Sequence, residues 1–367
     1  MLEERTLVAE SESPVVVRPV DSEQDQALWH KIGEDPGAGS MHQCFWWAQP
    51  LRAVGVETDG LGFWKDDRLL GGALFRSIPV PVVGGHVTQC LSGPLNANWR
   101  PRWADGFVSE LERLAERRGS LEVALSGCRS ADFHRDVLAE LRRRGARVSL
   151  RPGVVDASLP LERAALPDAL KAMNEGTRRN IKKAQKSGVE LRLLTRAEEL
   201  KDAHGAWLAT ASRKGFSDVR PWEYLEPVVR RCVDHGHGAV LGSFKDGRLL
   251  AAIFVTFLGG EGSYVYGGYR DGGESLSPNH ILHLEAIKLC LDRGLRAYNF
   301  GALSADYEAR PTGTDRYKLG FGARPVPQLD TIVWRRRPWL CAGSEWLKRQ
   351  SFGRAVIGAL KRRLLRG

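Results

Sequence analysis

At 367 residues the chain is long for one hydrophobic core and comfortable for two domains, and its 43% hydrophobic and 27% charged content is ordinary for a soluble globular protein. Lys and Arg outnumber Asp and Glu by 54 to 44, a net charge of +10 that points to a polyanionic partner. No run of eighteen apolar residues offers a transmembrane helix, and the acidic start MLEERTLVAESESP lacks the apolar stretch of a secretory signal, so a cytoplasmic location is expected.

Residues 1–14 read as a flexible lead-in. VVVRPV (15–20) reads as a strand, and DSEQDQALWHKI (21–32) as a helix with an Asp cap. HQCFWWAQPLRAVG (42–55) is helix-like, with Phe45, Trp46 and Trp47 expected in the core. A hairpin follows at 64–75, then a Pro-broken strand at 78–85 and the loop LSGPL at 91–95. Helices at 103–118 and 132–144 flank a strand at 121–126. The Pro-punctuated stretch 150–167 reads as a boundary. Beyond it come a two-part helix at 166–188, a strand at 189–195, helices at 196–214 and 221–234, and a meander over 239–244, 248–258 and 262–269. A helix at 279–294, a strand at 296–303 and DRYKLGFGARPVPQ (315–328) complete the body.

The chain repeats itself. WKDDRLLGGALF (64–75) recurs 180 positions later as FKDGRLLAAIFV (244–255), each the pattern of a hairpin with a buried second strand. ELERLAERRGSLEVAL (110–125) is echoed by HLEAIKLCLDRGLRAYNF (283–300), each a helix with a Gly cap feeding a strand. Two α/β (α+β) domains of similar fold are expected, over 15–160 and 161–335, with a cleft between them. Residues 336–367 are expected to form a basic amphipathic C-terminal helix, with Phe352, Val356, Leu360 and Leu364 on one side and Lys361, Arg362, Arg363 and Arg366 near its end. It could grip RNA, lie on an anionic membrane or pack on the body.

The six cysteines are scattered, without CxxC or Cys/His clustering, which reads as free thiols and no metal site. TRRNIKKAQK (177–186) is the densest basic segment of the body. Helical spacing sets Arg178 and Lys182 on one face and Arg179, Lys183 and Lys186 on an adjoining one, either a solvated face or a phosphate-binding surface. Arg220 and Tyr224 lie four apart at a helix start and suit an anionic ligand. Tyr264 and Tyr266 share one strand face before two glycines, and Tyr317, Lys318 and Phe321 lie between glycine-bearing turns. His280 and His283 have no nucleophile or metal partner in the sequence and read as structural or surface residues.

TRRNIKKAQKSGVEL, RPWEY, KDGRLLAAIF, YGGY, ILHLEAIKLCLDRGLRAYNFG and RYKLGFG occur in the order found in Fem-type (FemXAB-like) transferases, which the chain resembles over roughly residues 165–328. The resemblance implies two tandem GNAT-fold acyltransferase domains. It also implies transfer of an amino acid from aminoacyl-tRNA, a co-substrate in place of a cofactor, to an amine, forming a peptide bond. It makes Lys318 the catalytic contact to the reacting ester, with Tyr317 and Phe321 shaping that pocket. Arg220 and Tyr224 fall on the acceptor side, Tyr266 is a substrate-binding residue near a family tyrosine that lines the cleft, and Arg178, Arg179, Lys182 and Lys183 are the candidate tRNA contacts. One departure stands against a murein acceptor: cell-wall members carry a phosphate-binding lysine soon after a tryptophan, whereas Trp47 is followed by AQPLRAV, with only Arg52 nearby. The long helical arm of staphylococcal-type members is also missing. The alternative is an acyl-CoA or acyl-carrier-dependent N-acyltransferase of the same fold. RLLGGA (68–73) fits a pyrophosphate-binding string, but it falls within a predicted strand and is not kept in the second copy.

Overall fold

The computed structural model describes residues 14–34, 40–80, 83–95, 98–161, 165–215, 220–270 and 272–340. In chain order the first part forms β1 (Val15–Pro19), α1 (Glu23–Glu34), α2 (Phe45–Ala48), β2 (Glu57–Lys65), β3 (Arg68–Pro79), β4 (His86–Leu91), α3 (Ala104–Arg117), β5 (Ser120–Ser126), α4 (Ala131–Arg143) and β6 (Val148–Arg151). Next come β7 (Val155–Pro160), α5 (Leu166–Ala172), α6 (Glu175–Lys186), β8 (Glu190–Leu194), α7 (Ala197–Lys214), α8 (Trp222–Asp234), β9 (Gly238–Lys245), β10 (Arg248–Leu258) and β11 (Glu261–Tyr269). The chain then forms α9 (Pro278–Asp292), β12 (Ala297–Ala302), α10 (Gly313–Gly320), β13 (Arg324–Pro327) and β14 (Thr331–Arg335).

The repeated segments form the same hairpin with the same irregularity. Asp66 and Asp246 both take the left-handed conformation in the turn, at φ 53° and 49°, which Asp tolerates better than most residues. In β3, Phe63 pairs with Gly71 and Trp64 with Leu69, so Leu70 bulges out; in β10, Ser243 pairs with Ala251 and Phe244 with Leu249, so Leu250 does. RLLGGA lies within β3, as the sequence pattern suggested, and not between a strand and a helix. The second echo also holds: α3 feeds β5 and α9 feeds β12.

Each copy builds a seven-stranded sheet, in the orders β1-β2-β3-β4-β5-β14-β6 and β13-β7-β12-β11-β10-β9-β8. The last strands are exchanged. The strand after β6 is β7, which lies between β12 and β13 of the second sheet; the strand after β13 is β14, which lies between β5 and β6 of the first. The sequence division at 160/161 is therefore corrected: 155–160 belongs to the second sheet and 331–335 to the first. The reason is pairing across units, which a linear reading of strands cannot reveal. Of the C-terminal helix expected over 336–367, residues 336–340 are described, with helix from Pro338, and residues 341–367 lie outside the described residues.

A hydrophobic cluster underlies each sheet, and a third joins the two units. Trp46 and Trp47 of α2 pack with Trp207, Trp222 and Phe254 of the second unit, while Phe45 packs with Trp29 in the first. Each such ring buries about 150–250 Å², so α2 fastens the units together. In the second sheet β11 pairs in parallel with β12 from Glu261–Ala297 only as far as Ser263–Asn299; from Tyr264 onward the two strands have no pairing, and cavities open there. Among the described residues no helix is long and apolar enough to cross a membrane.

Candidate functional site

Lys318 is positioned by a fully engaged helix cap. The Thr312 Oγ1 accepts from the Asp315 N–H, and the Asp315 carboxylate accepts from Thr312 N–H and from both the N–H and Oγ–H of Ser304, at 2.7–3.1 Å. Burial works against the Asp315 charge, but these bonds outweigh it and hold the carboxyl below its ordinary range. So α10 is tied to the chain leaving β12, and one turn later the Lys318 Nζ donates to the Ala302 carbonyl at 2.5 Å. Burial, helped by Lys214, lowers the pKa of Lys318 against the opposing pull of Asp315 and Asp156.

Two cavities meet near this ammonium. One, of about 540 Å³, lies between the units and is lined by His42, Arg129, Asp156, Glu261, Asn299 and Gln328 among others. The other, of about 450 Å³, is enclosed by α7, β11, α9 and α10 and includes Lys318, Tyr317, Asn279, His280 and His283. Tyr264 lines both. A side chain on Gly301, which lines the first, would come within 3.9 Å of the Lys318 Nζ. The two glycines after Tyr266 permit the close approaches this wall needs: a Cβ on Gly267 would lie 2.3 Å from the Tyr264 hydroxyl, and one on Gly268 2.3 Å from the Ala206 carbonyl.

The inter-unit cavity has charges of both signs. On its acidic side Asp156 Oδ2 accepts from the amides of Asn299 and Gln328, at 3.2 and 2.7 Å, and Glu261 accepts from Asn299 and Ser263, at 3.1 and 3.2 Å. Opposite, His42 stands in the field of three arginines. Burial first, then Arg76, Arg220 and Arg129, push its pKa down to about 3. Arg76, in β3, is 6% exposed and has no carboxylate within 4 Å among the described residues; burial and the Arg220 charge push it down to about 10. Such a buried, unpaired guanidinium is expensive unless a bound anion neutralises it.

The sequence candidates fall in three places. Arg220, just before α8, lies close enough to Arg76 and His42 to bias both, and its own carbonyl is held by His204 Nε2 at 2.8 Å. Tyr266 stacks on Trp207 at 5.6 Å and sits near Arg76, while Tyr224 is half-buried in the first turn of α8. Lys318 and Tyr317 wall the second cavity. Phe321 does not: it is fully buried behind Tyr317, among Phe300, His280 and His283, because the residue after a helix end packs inward here. Arg179, Lys182, Lys183 and Lys186 form an exposed face of α6, and among the described residues none has an ion-pair partner. Arg178 instead donates to the Met173 and Lys171 carbonyls. This helix adjoins the second cavity through an Asn180–His280 hydrogen bond of 3.2 Å.

Sequence reasoning missed Arg76, His42, Asp156 and Glu261. Arg76 carried a signal, since a lone charge interrupts the otherwise uncharged, buried run ALFRS. His280 and His283 are wall residues of a cavity, not surface residues; burial pushes them to about 4 and 3, His283 also feeling His280 and Lys318. The five described cysteines are buried and free, and among the described residues no group of His, Cys, Asp or Glu could hold a metal.

Residues 171–319 match the acetyltransferase (GNAT) domain family. The solved structure of FemX is similar, with a TM-score of 0.74 at 14% identity over 88% of this chain and 98% of that one. The C-terminal domain of a putative lysylphosphatidylglycerol synthetase from Agrobacterium fabrum gives a TM-score of 0.54 at 13% identity, over 90% and 97%. L-PGS from Bacillus licheniformis gives 0.53 at 14% identity, over 90% and 98%. Comparison with curated proteins finds no match. The chain therefore folds as two GNAT-like units, the second of which carries the match to the acetyltransferase (GNAT) domain family, and it shares its overall fold with FemX.

Proposed function

We propose that the protein transfers an amino acid from aminoacyl-tRNA to the amine of an anionic acceptor, forming an amide bond. The observation that carries this reading is the setting of Lys318. Its half-buried ammonium lies where two cavities meet, and the unpaired cationic face of α6 adjoins the same wall. The likeness to FemX and to a lysylphosphatidylglycerol synthetase domain agrees with aminoacyl transfer.

An aminoacyl ester is already activated, so orientation supplies much of the rate; well-placed reactants gain on the order of 7–11 kcal/mol at best. In this reading the CCA end of the tRNA follows the α6 face to Lys318, and its phosphates meet Arg179, Lys182, Lys183 and Lys186. The acceptor lies in the inter-unit cavity, its anionic part toward His42 and Arg129, in the field of Arg76 and Arg220, and its amine toward Asp156 and Glu261. The neutral amine attacks the ester carbonyl, and a C–N bond replaces the C–O bond to the ribose. Lys318 steadies the oxyanion and protonates the departing ribose oxygen, a task eased by its lowered pKa. The proton released by the amine goes to Asp156, Glu261 or water. Arg76 supplies a cation in the first unit where AQPLRAV offers only Arg52, so an acceptor carrying phosphate is again compatible with the site.

The GNAT domain match keeps acyl-CoA as the second reading for the donor. The turn into α9 is poorly suited to pyrophosphate, since Pro278 removes one of the free N–H groups that such a site uses. A coupled assay with charged tRNA and a metabolite extract, read by mass, separates the two. Product formation that RNase abolishes is expected. Product formed from acyl-CoA in an RNA-free mixture would overturn the reading.

A further inference from the structure

The second cavity is lined by two lysines, Lys214 and Lys318, and among the described residues by no carboxylate. Burial lowers His280 and His283 to about 4 and 3, so at neutral pH the lysines are its charges. Asp315 and Asp156 act on Lys318 through space, but Asp315 is spent on Ser304 and Thr312, and Asp156 lines the other cavity. Lys214 is placed by its helix. Thr210 and Lys214 lie four apart on one face of α7, and both line the cavity. The Thr210 Oγ1 accepts from the Tyr269 N–H at 2.9 Å, which fastens this face to β11. Lys214 follows one turn later, at the last residue before the Gly215 cap. Its side chain is exposed, and among the described residues no carboxylate comes within 4 Å of it. Its charge lowers the proton affinity of Lys318, so the two ammoniums repel across the cavity. Lys318 is anchored to the Ala302 carbonyl and has the oxyanion to steady; Lys214 has no such task.

We propose that Lys214 receives an anionic group carried by the donor, seated on the α7 side of this cavity. The inference rests on the aminoacyl-transfer reading and adds a negative charge to the part of the donor that enters here. Such a donor has two sources for that charge: the carboxylate of an acidic amino acid being transferred, or the phosphate of the terminal nucleotide. Either accepts a charge-assisted hydrogen bond from the ammonium and relieves its repulsion with Lys318. A cationic side chain meets two lysines and no carboxylate, and an uncharged one leaves their repulsion in place.

The test is calorimetry on the full chain with non-hydrolysable 3′-aminoacylamino-3′-deoxyadenosines. Glutamyl and glutaminyl probes have the same shape and differ by one charge; the glutaminyl probe with and without a 5′-phosphate isolates the phosphate. In at least one of these two pairs the anionic member is expected to bind about tenfold tighter, the effect of one hydrogen bond to a charged group. A gain in the first pair assigns the side-chain carboxylate, and a gain in the second the phosphate. Lys214→Met should cut that gain to about threefold or less, whereas Lys201→Gln, at another exposed lysine of α7, should leave it unchanged. Gains within twofold in both pairs, or a gain that survives Lys214→Met or falls equally in Lys201→Gln, would overturn the inference while leaving aminoacyl transfer intact. Coenzyme A binding, with every aminoacyl probe no better than adenosine, would instead remove the aminoacyl-tRNA reading and this inference with it.

Discussion

Arg76 and Arg220 come from different units of the chain, yet the charge on Arg220 adds to burial in pushing Arg76 down to about 10, and neither guanidinium has a carboxylate within 4 Å among the described residues. Two cations at close quarters without a counter-ion oppose folding; an unpaired buried charge costs several kcal/mol. A bound anion would remove that penalty, which is why the proposed function sets the acceptor's anionic part in the field of this pair.

Arg76→Met should therefore separate stability from binding. The variant should unfold at the same denaturant concentration as the parent or a higher one, because a buried charge is replaced by an apolar side chain of similar length. The acceptor KM should rise about 10–100-fold, the loss expected for one or two charge-assisted hydrogen bonds, with kcat changed far less. A marked drop in stability, with KM unchanged, would assign Arg76 a structural role.

Lys318→Ala should lower single-turnover transfer on the order of a hundredfold or more, as loss of one oxyanion-stabilising group does. Binding of charged tRNA, measured by filter retention, should stay within a few-fold. Lys318→Arg should not restore the rate. A guanidinium holds its proton too tightly to pass it to a ribose oxygen, and its fork does not fit the Ala302 carbonyl as the ammonium does.

How much of this was legible in the sequence differs between fold and site. The duplication was plain because a hairpin with a buried second strand keeps its pattern, down to the Asp turns at 66 and 246. The exchange of β7 and β14 was hidden, since strand partners are chosen by tertiary packing and not by local pattern. Lys318 and Arg220 stood in recognisable motifs. Arg76 did not, because its meaning lies in the absence of a counter-ion, which only the folded surroundings show. Phe321 misled: beside Lys318 in sequence, it turns into the core, while Tyr317 faces the cavity.

The cationic face of α6 makes an ionic-strength prediction. Replacing Lys182 and Lys183 by Gln should make the slope of log K for tRNA against log salt shallower by about 0.7–0.9 for each phosphate no longer neutralised. Lys201→Gln, an exposed lysine on α7, should leave the slope unchanged. Equal effects from both would mean that overall charge, not this face, governs RNA binding.

The exchanged strands make the units depend on each other. Residues 1–153 alone lack β14, which fills the gap between β5 and β6, and residues 154–367 alone lack the sheet that β14 completes. Each fragment expressed separately should give poorly dispersed amide spectra and aggregate through its open strand edges. Co-expressed, they should form a complex with native-like spectra. Independent folding of either fragment would show that the exchange is dispensable.

Four histidines, His283 buried and His30, His42 and His280 half-buried, set the acid limit of stability. Burial is the main cause at each: it holds His30 and His280 at about 4 and His42 and His283 at about 3, against 6.5 in an unfolded chain. Between those values and 6.5 the unfolded chain binds protons that the folded protein refuses. Stability is then complete above about pH 6.5 and declines as pH falls, each histidine contributing a slope of up to about 1.4 kcal/mol per pH unit. Chemical denaturation from pH 8 to 4.5 should show this decline begin above the range in which most carboxylates titrate. His283→Gln can keep a hydrogen bond to the Tyr298 hydroxyl while removing the titrating ring. It should flatten the profile between pH 6 and 4.5 by about one histidine's share, even if its stability at pH 8 is lower. An unchanged slope in that variant would mean that His283 is already protonated in the folded protein.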